Sequence, residues 1–241
     1  MGRLSSVAEK LISPSQTAFI KGRYIYDGAV MLHEVIHELK QKKMQGVLLK
    51  IDFEKTYDSI RWDFVEKVLQ RKGFDDRLIR WIMSTVKGGK VCININGENR
   101  GYFRTHRGLR QGDPLSPLLF NMTIDSLAHL LDKAKVHGYI KGVVPHLING
   151  GLTHLHYADD TLLMMGCDNE SIRNMKFILY CFEWMSGLKI NYHKSEVVVF
   201  GVEERQQEIA NMLNCKLGEF PLNYLGFPSV TRTWGSHISA R

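Results

Sequence analysis

The sequence predicts a mixed α/β body, and three observations predict it. Short β-capable runs such as Val47-Leu48-Leu49-Lys50-Ile51-Asp52-Phe53, and the segments either side of Asp159-Asp160, read as strands. Stretches with helical spacing of apolar residues lie between them, bounded by Ser, Asp, Pro and Gly. No internal repeat, low-complexity tract or linker-like segment interrupts the 241 residues, so one body is expected.

In chain order, residues 7–20 mix a short helical pattern with a break at Ser13-Pro14-Ser15. The basic turn Phe19-Ile20-Lys21-Gly22-Arg23 precedes a helix from Asp27 to about Lys43, with Val30, Met31, Val35 and Leu39 inward. Lys40, Lys42 and Lys43 suit its C-terminal dipole. Gly46 ends it, and the strand from Val47 delivers Asp52 at its end. Ser59 is placed to cap a helix from Ile60 to Arg71 with Trp62, Val65, Val68 and Leu69 inward. Gly73 stops that helix, and Asp75 or Asp76 opens the next, through Leu78, Ile79, Ile82 and Met83. Val91–Ile95, the turn Asn96-Gly97 and a return strand near Tyr102-Phe103 form a hairpin.

The loop Arg107-Gly108-Leu109-Arg110-Gln111-Gly112 then enters a helix running to about Val136, with Ser116 as cap and Pro117 at its first position. After Gly150-Gly151 comes the hairpin with Asp159-Asp160 at its tip. A helix capped by Asp168 or Ser171, with Phe177, Leu179, Phe182 and Met185 as its apolar residues, ends at Gly187. A strand pair over Leu188–Phe200, a helix over Glu203–Leu213 and the turn Tyr224-Leu225-Gly226 complete the order.

Lys and Arg number 32 against 25 Asp and Glu, a net charge of +7 that suits a polyanionic partner without requiring one. Cys92, Cys167, Cys181 and Cys215 lie far apart with no CxxC pair, which predicts reduced thiols in an intracellular, reducing compartment, cytoplasm or nucleus. No apolar run reaches membrane-span length and no secretory pattern opens the chain, so no membrane partner is expected. Met1-Gly2 with Ser6 meets only the minimal myristoylation pattern.

Two short patterns compete for the chemistry. His33-Glu34-Val35-Ile36-His37 has the H-E-x-x-H spacing of zinc peptidases, but such a centre needs a third protein ligand and an open position. Against it stand three carboxylates at two strand ends, Asp52 and the pair Asp159-Asp160. Adjacent acids repel, and a divalent ion with oxygen ligands is their natural counter-charge. With a basic glycine loop, the set points to metal-assisted phosphoryl transfer, in which two ions about 4 Å apart stabilise attacking and leaving oxygens.

At this point five blocks stand in order: K-I-D-F-E-K-T-Y-D-S-I (50–60), R-G-L-R-Q-G-D-P-L-S-P-L-L-F-N (107–121), H-Y-A-D-D-T-L-L-M (156–164), G-L-K-I-N-Y-H-K-S (187–195) and Y-L-G-F-P (224–228). They resemble motifs A to E of the reverse transcriptases of non-LTR (LINE-type) retrotransposons. The segment S-P-S-Q-T-A-F-I-K-G-R (13–23) is similar to one those enzymes carry just upstream. Thr56 and Tyr57 stand where alanine and phenylalanine are commoner, and neither change removes a metal ligand.

The resemblance implies a right-hand polymerase palm: an antiparallel sheet of ferredoxin or RNA-recognition type with helices on one face. Partial fingers would occupy residues 1–50, the palm 47–228 with a fingers-type insertion near 73–110, and a tail 229–241. It implies RNA-directed DNA synthesis from deoxynucleoside triphosphates on an RNA template and DNA primer, with two Mg²⁺ ions that Mn²⁺ can replace. Asp52, Asp159, Asp160 and the Phe53 carbonyl would hold metal, and Lys194 would donate a proton to the leaving group. Tyr57 would screen the sugar, and Gln111 and Gly112 would line the nucleotide pocket. Arg110, Lys21 and Arg23 would meet the nucleic-acid backbone, and Tyr224, Leu225 and Gly226 the primer end. Thumb and endonuclease would belong to a larger polyprotein. A palm that binds nucleic acid without extending a primer is the alternative.

Overall fold

The computed structural model describes residues 8–229. The myristoylation pattern at Met1-Gly2 and the expected tail from 230 onward lie outside the described residues.

Strand β1 (Gly46–Ile51) is central in a five-stranded sheet of order β5-β6-β1-β8-β9, with β5 (His154–Tyr157), β6 (Asp160–Met165), β8 (Glu196–Phe200) and β9 (Lys216–Leu217). Pairing is antiparallel except between β8 and β9, which run parallel. β1 and β6 are apolar almost without alternation and buried along nearly their whole length, the pattern of strands covered on both faces. Side chains of successive residues point to opposite faces. Val47, Leu49, Ile51, Leu163, Met165 and Val197 accordingly join one core, while Leu48, Leu162, Met164 and Val198 join another.

The first core is closed by α2 (Trp62–Arg71), α3 (Asp76–Val86), α4 (Ser116–Val136) and α5 (Asn169–Ser186), through Val65, Leu69, Ile82, Phe120, Leu127 and Phe182. The second is closed by α1 (Ile25–Gln41), whose Leu32, Val35, Ile36 and Leu39 are buried, together with the hairpin β10 (Leu222–Tyr224) and β11 (Phe227–Ser229). Helices therefore cover both faces, where one covered face was expected. Val30 and Met31, expected inward, are 59% and 40% exposed; the buried stripe of α1 runs instead through Gly28, Leu32, Val35, Ile36 and Leu39. Phe177 on α5 likewise faces outward, while Leu179 and Phe182 are buried.

Local signals set most boundaries. Asp75 caps α3 by accepting from the Arg77 N–H, and Asp168 caps α5 by accepting from the Ser171 N–H and hydroxyl. Gly187 ends α5 in the left-handed conformation. Two expected caps fail. Ser59 closes a separate helical turn, Thr56–Ser59, so α2 begins at Trp62 behind Arg61. Ser116 is buried inside α4, whose entry is instead tightened by Asp113 accepting from the Leu115 N–H. The segment over Leu188–Phe200 is no hairpin: β7 (Lys189–Ile190) pairs with β2 (Phe53–Glu54), and β8 pairs with β1. The hairpin β3 (Lys90–Ile95) and β4 (Glu98–Arg104) forms as expected and is exposed along nearly all its length.

The segment before α1 is pinned into the body. Residues 8–11 are helical, and Gln16 makes a parallel bridge to His156, with Thr17 N–H donating to the His156 carbonyl and His156 N–H to that of Ser15. This covers the outer edge of β5, which would otherwise present unpaired backbone groups. Asp125 of α4 is fully buried; it accepts from the Ser13 N–H at 2.7 Å and from Lys72 Nζ at 2.5 Å, and Lys72 also donates to the Leu11 carbonyl. Removing one partner of a buried pair leaves the other charge uncompensated. Asp125→Ala is therefore expected to lower unfolding stability by about 3–5 kcal/mol, read from urea denaturation, whereas breaking the exposed pair Arg61–Asp63 changes it little.

Candidate active site

The register of β1 and β6 places the acids. Ile51 pairs with Thr161, so the next residue of β1, Asp52, leaves the sheet beside the start of β6 at Asp160. Tyr157 pairs with Asp160, which makes Ala158-Asp159 a two-residue turn. Ala158 takes a φ of +52°, a left-handed value that ordinarily selects glycine at the first central position of such a turn. Asp52 and Asp159 are exposed and Asp160 is half-buried.

The electrostatics follow from this proximity. Burial pushes the Asp160 carboxyl up, and the charges of Asp159 and then Asp52 push it further, with Lys50 opposing. Tyr57 is raised by burial and then by the charge of Asp159, and its ring stacks on Phe120 with centroids 5.1 Å apart. Three acids at one sheet end, only partly offset by Lys50, fit a cation with oxygen ligands. The side chains do not close around one point: among the described residues no group of three or more His, Cys, Asp or Glu is gathered closely enough to hold a metal. The same holds for His33 and His37 on α1, so the zinc-peptidase pattern finds no third ligand among the described residues.

The turn that follows β7 fixes the Asp52 backbone. The Asp52 N–H donates to Ser195 Oγ at 3.2 Å, and the Asp52 carbonyl accepts from the Asn191 N–H at 2.7 Å. Ser195 is fully buried and its hydroxyl donates to the Asn191 carbonyl. Lys194, between them, is exposed. Phe53 is buried against Phe182.

The glycine loop docks on the turn carrying Tyr57. Leu109 N–H donates to the Tyr57 carbonyl, Gly108 N–H to that of Ile60, and Trp62 Nε1 to the Gly108 carbonyl. Gly108 has a φ of +91°, and a Cβ there would lie 2.9 Å from the Asp58 carbonyl oxygen, so only glycine fits. Arg110, Gln111 and Gly112, beyond this anchor, are exposed, and the Arg110 guanidinium lies against Gly89.

Other expected contacts separate. Lys21 is exposed. Arg23 is not free for a nucleic-acid backbone: its guanidinium donates to the carbonyls of Glu9, Ile12, Ser13 and Gln16. Tyr224 is a core residue, 1% exposed, packed under Gly28 of α1 and raised by burial and then by the charge of Asp160. Leu225 and Gly226, both with positive φ, form the turn beyond it, and Gly226 is exposed. Lys50 Nζ donates to the Asn223 carbonyl and so ties this hairpin to β1. The residues missed from sequence are Gln16, Asn191 and Ser195, each of which holds backbone beside an acid.

A sheet with three acids at one end, a glycine loop beside it and helices behind it defines the class. Residues 1–229 match the family "Reverse transcriptase (RNA-dependent DNA polymerase)", and the chain belongs to that family. Among similar proteins, the Pol polyprotein of the type-2 retrotransposable element R2DM of Drosophila melanogaster is 25% identical over 227 residues, 91% of this chain and 20% of its own length. The transposon TX1 149 kDa protein of Xenopus laevis is 25% identical over 83% of this chain and 15% of its own length. Both agree with the non-LTR version that the motif blocks resemble, and this chain spans about a fifth or less of either. The fold is shared with telomerase from Candida tropicalis: TM-score 0.60 at 14% identity, covering 82% of this chain and 39% of that one.

Beneath the aspartate turn, His154 and His156 are buried with ring centroids 5.2 Å apart, hydrogen-bonded through Nδ1 to Thr153 and Thr161. Burial pulls His154 down to about 4, against the opposing charge of Asp132, and His156 is lowered by burial and by His154. A neutral folded imidazole whose unfolded form protonates near 6.5 contributes stability that is complete above pH 6.5 and is lost as pH falls toward 4. The melting temperature is expected to drop across that window, and His154→Asn to flatten the drop, as followed by circular dichroism.

Proposed function

We propose that this chain is the catalytic body of an RNA-templated DNA polymerase, transferring nucleotides from deoxynucleoside triphosphates to a primer 3′-hydroxyl. The observation that carries the reading is the β1–β6 register, which sets Asp52 beside Asp159-Asp160 at one rim of the sheet. In this reading the five-stranded sheet with its first-core helices is the palm, the exposed β3–β4 hairpin belongs to a fingers-type insertion, and residues up to about 50 contribute partial fingers.

Asp52, Asp159, Asp160 and the Phe53 carbonyl would hold two Mg²⁺ ions, replaceable by Mn²⁺, which when bound stabilise the attacking and leaving oxygens of the displacement. The protein's own share is positioning and charge, since phosphoryl transfer leaves little covalent work to side chains. Ser195 and Asn191 fix the Asp52 backbone, and in this reading the exposed Lys194 beside them gives a proton to the pyrophosphate. Tyr57, its ring stacked on Phe120, screens the sugar 2′ position. Gln111 and Gly112 offer an exposed, backbone-rich edge to nucleotide and template, with Arg110 and Lys21 as phosphate contacts. The Leu225-Gly226 turn meets the primer end, with Tyr224 as its buried root. The template is RNA and the primer DNA, and thumb and endonuclease functions fall to other parts of a larger polyprotein. The chain acts inside the cell, in cytoplasm or nucleus.

Primer extension on poly(rA)–oligo(dT) with Mg²⁺ or Mn²⁺ tests this. The intact chain is expected to incorporate dTTP and Asp159→Asn to fall to background. Binding without incorporation in the intact chain would instead establish the second reading, a nucleic-acid-binding palm. Tyr57→Val is expected to raise ribonucleotide use relative to deoxynucleotide use by about tenfold or more, one lost steric contact being worth roughly 1–3 kcal/mol.

A further inference from the structure

We propose that Gln16 is a positioning residue that holds the Ala158-Asp159 turn in its left-handed backbone conformation, so that the Asp159 and Asp160 carboxylates face Asp52. Its consequence for metal binding rests on the polymerase reading; its effect on the turn does not.

Gln16 is fully buried, and its side-chain carbonyl accepts two backbone hydrogen bonds, from Ala158 N–H at 3.1 Å and from Ala18 N–H at 3.0 Å. The first falls on the residue whose φ is +52°. A non-glycine residue there is strained, and such a conformation persists when its surroundings over-determine it. Gln16 supplies that determination from outside the hairpin. The neighbouring backbone reinforces it, since the bridge of Gln16 to His156 lays residues 15–17 along β5 up to the turn.

Gln16 is itself immobilised from three directions. Arg23 donates to the Gln16 and Ser13 carbonyls at 2.6 Å each, Asn121 Nδ2 of α4 donates to the Ala18 carbonyl at 2.6 Å, and buried Asp125 accepts from the Ser13 N–H. A glutamine is suited to the task because its neutral carbonyl accepts twice without adding charge beside three acids, which a glutamate would do. The orientation of the amide follows from its donors, since only the oxygen can accept from two N–H groups.

The test uses Gln16→Met, Ala158→Gly and the double variant of the full chain. Three quantities are measured: amide exchange of a peptide spanning 157–160, Mn²⁺ affinity by electron paramagnetic resonance without nucleic acid, and primer extension. Gln16→Met is expected to speed exchange at Ala158, to weaken Mn²⁺ binding about tenfold, in the range for lost outer-shell support, and to lower kcat with the primer–template KM unchanged. Ala158→Gly removes the strain of the left-handed residue, so the double variant is expected to regain most of the lost Mn²⁺ affinity. A Gln16→Met protein that melts lower yet keeps wild-type exchange and Mn²⁺ affinity overturns the proposal, as does a double variant with no recovery. If Gln16→Met does not fold, Arg23→Gln leaves the amide in place but frees its anchoring carbonyls. Faster exchange at Ala158 then supports the proposal and unchanged exchange overturns it. Should the wild type neither bind Mn²⁺ nor extend a primer, the polymerase reading falls, and exchange at Ala158 still decides the role of Gln16.

Discussion

Five residue pairs between β1 and β6, from Val47 with Met165 to Ile51 with Thr161, fix where every acid of the site can be. Because side chains alternate between faces, a slip of one residue would carry Leu48 and Leu49 into each other's cores and move Asp52 off the rim it shares with Asp160. Both cores resist that slip. Leu49 and Leu163 are wedged under α4 and α5, and Leu48 and Leu162 under α1. The helix on the second face thus bears on the site without touching it: covering both sides of β1 makes the register costly to change.

Past the last pair the strands end, and the site is held by backbone hydrogen bonds from three other segments. Ser195 and Asn191 take both backbone groups of Asp52, Gln16 takes the N–H of Ala158, and Leu109 reaches the carbonyl of Tyr57. Such an arrangement suits a charged centre. Acids placed within the sheet would lose hydration and neutralise, whereas at its rim Asp52 and Asp159 are exposed, and Asp160, half-buried, is pushed up by burial. Lys50 moderates that push while anchoring the Tyr224 hairpin through the Asn223 carbonyl, so one cation serves electrostatics and architecture together.

Much of this was legible in the sequence because its signals are local. Unbroken apolar runs mark β1 and β6, Asp75 and Asp168 mark helix starts, Asn96-Gly97 marks a hairpin, and the acids stand at strand ends. What escaped depends on partners far along the chain. Val30 and Met31 look as apolar as Leu32 and Ile36, and only the position of the sheet decides which stripe of α1 is buried. Ser116 and Ser59 have the right chemistry for caps, but Asp113 and the separate Thr56–Ser59 turn took those places. Tyr224 was legible as a motif residue but not as core, since its burial is made by α1, nearly two hundred residues earlier.

Arg23 shows why charge in a motif misleads. A basic residue after a glycine in a positively charged chain invites a phosphate, yet its planar fork is equally matched to carbonyl oxygens. Here four carbonyls occupy it, those of a chain segment with no strand partner of its own except the bridge at Gln16. A guanidinium stays a cation when its acceptors are uncharged. The hydrogen bonds of Arg23, however, are spent inward. The same residue that would be mutated to weaken template binding would then act through Gln16 and the turn geometry. Loss of activity on its removal would say little about nucleic acid unless Lys21, exposed and two residues away, responded in parallel.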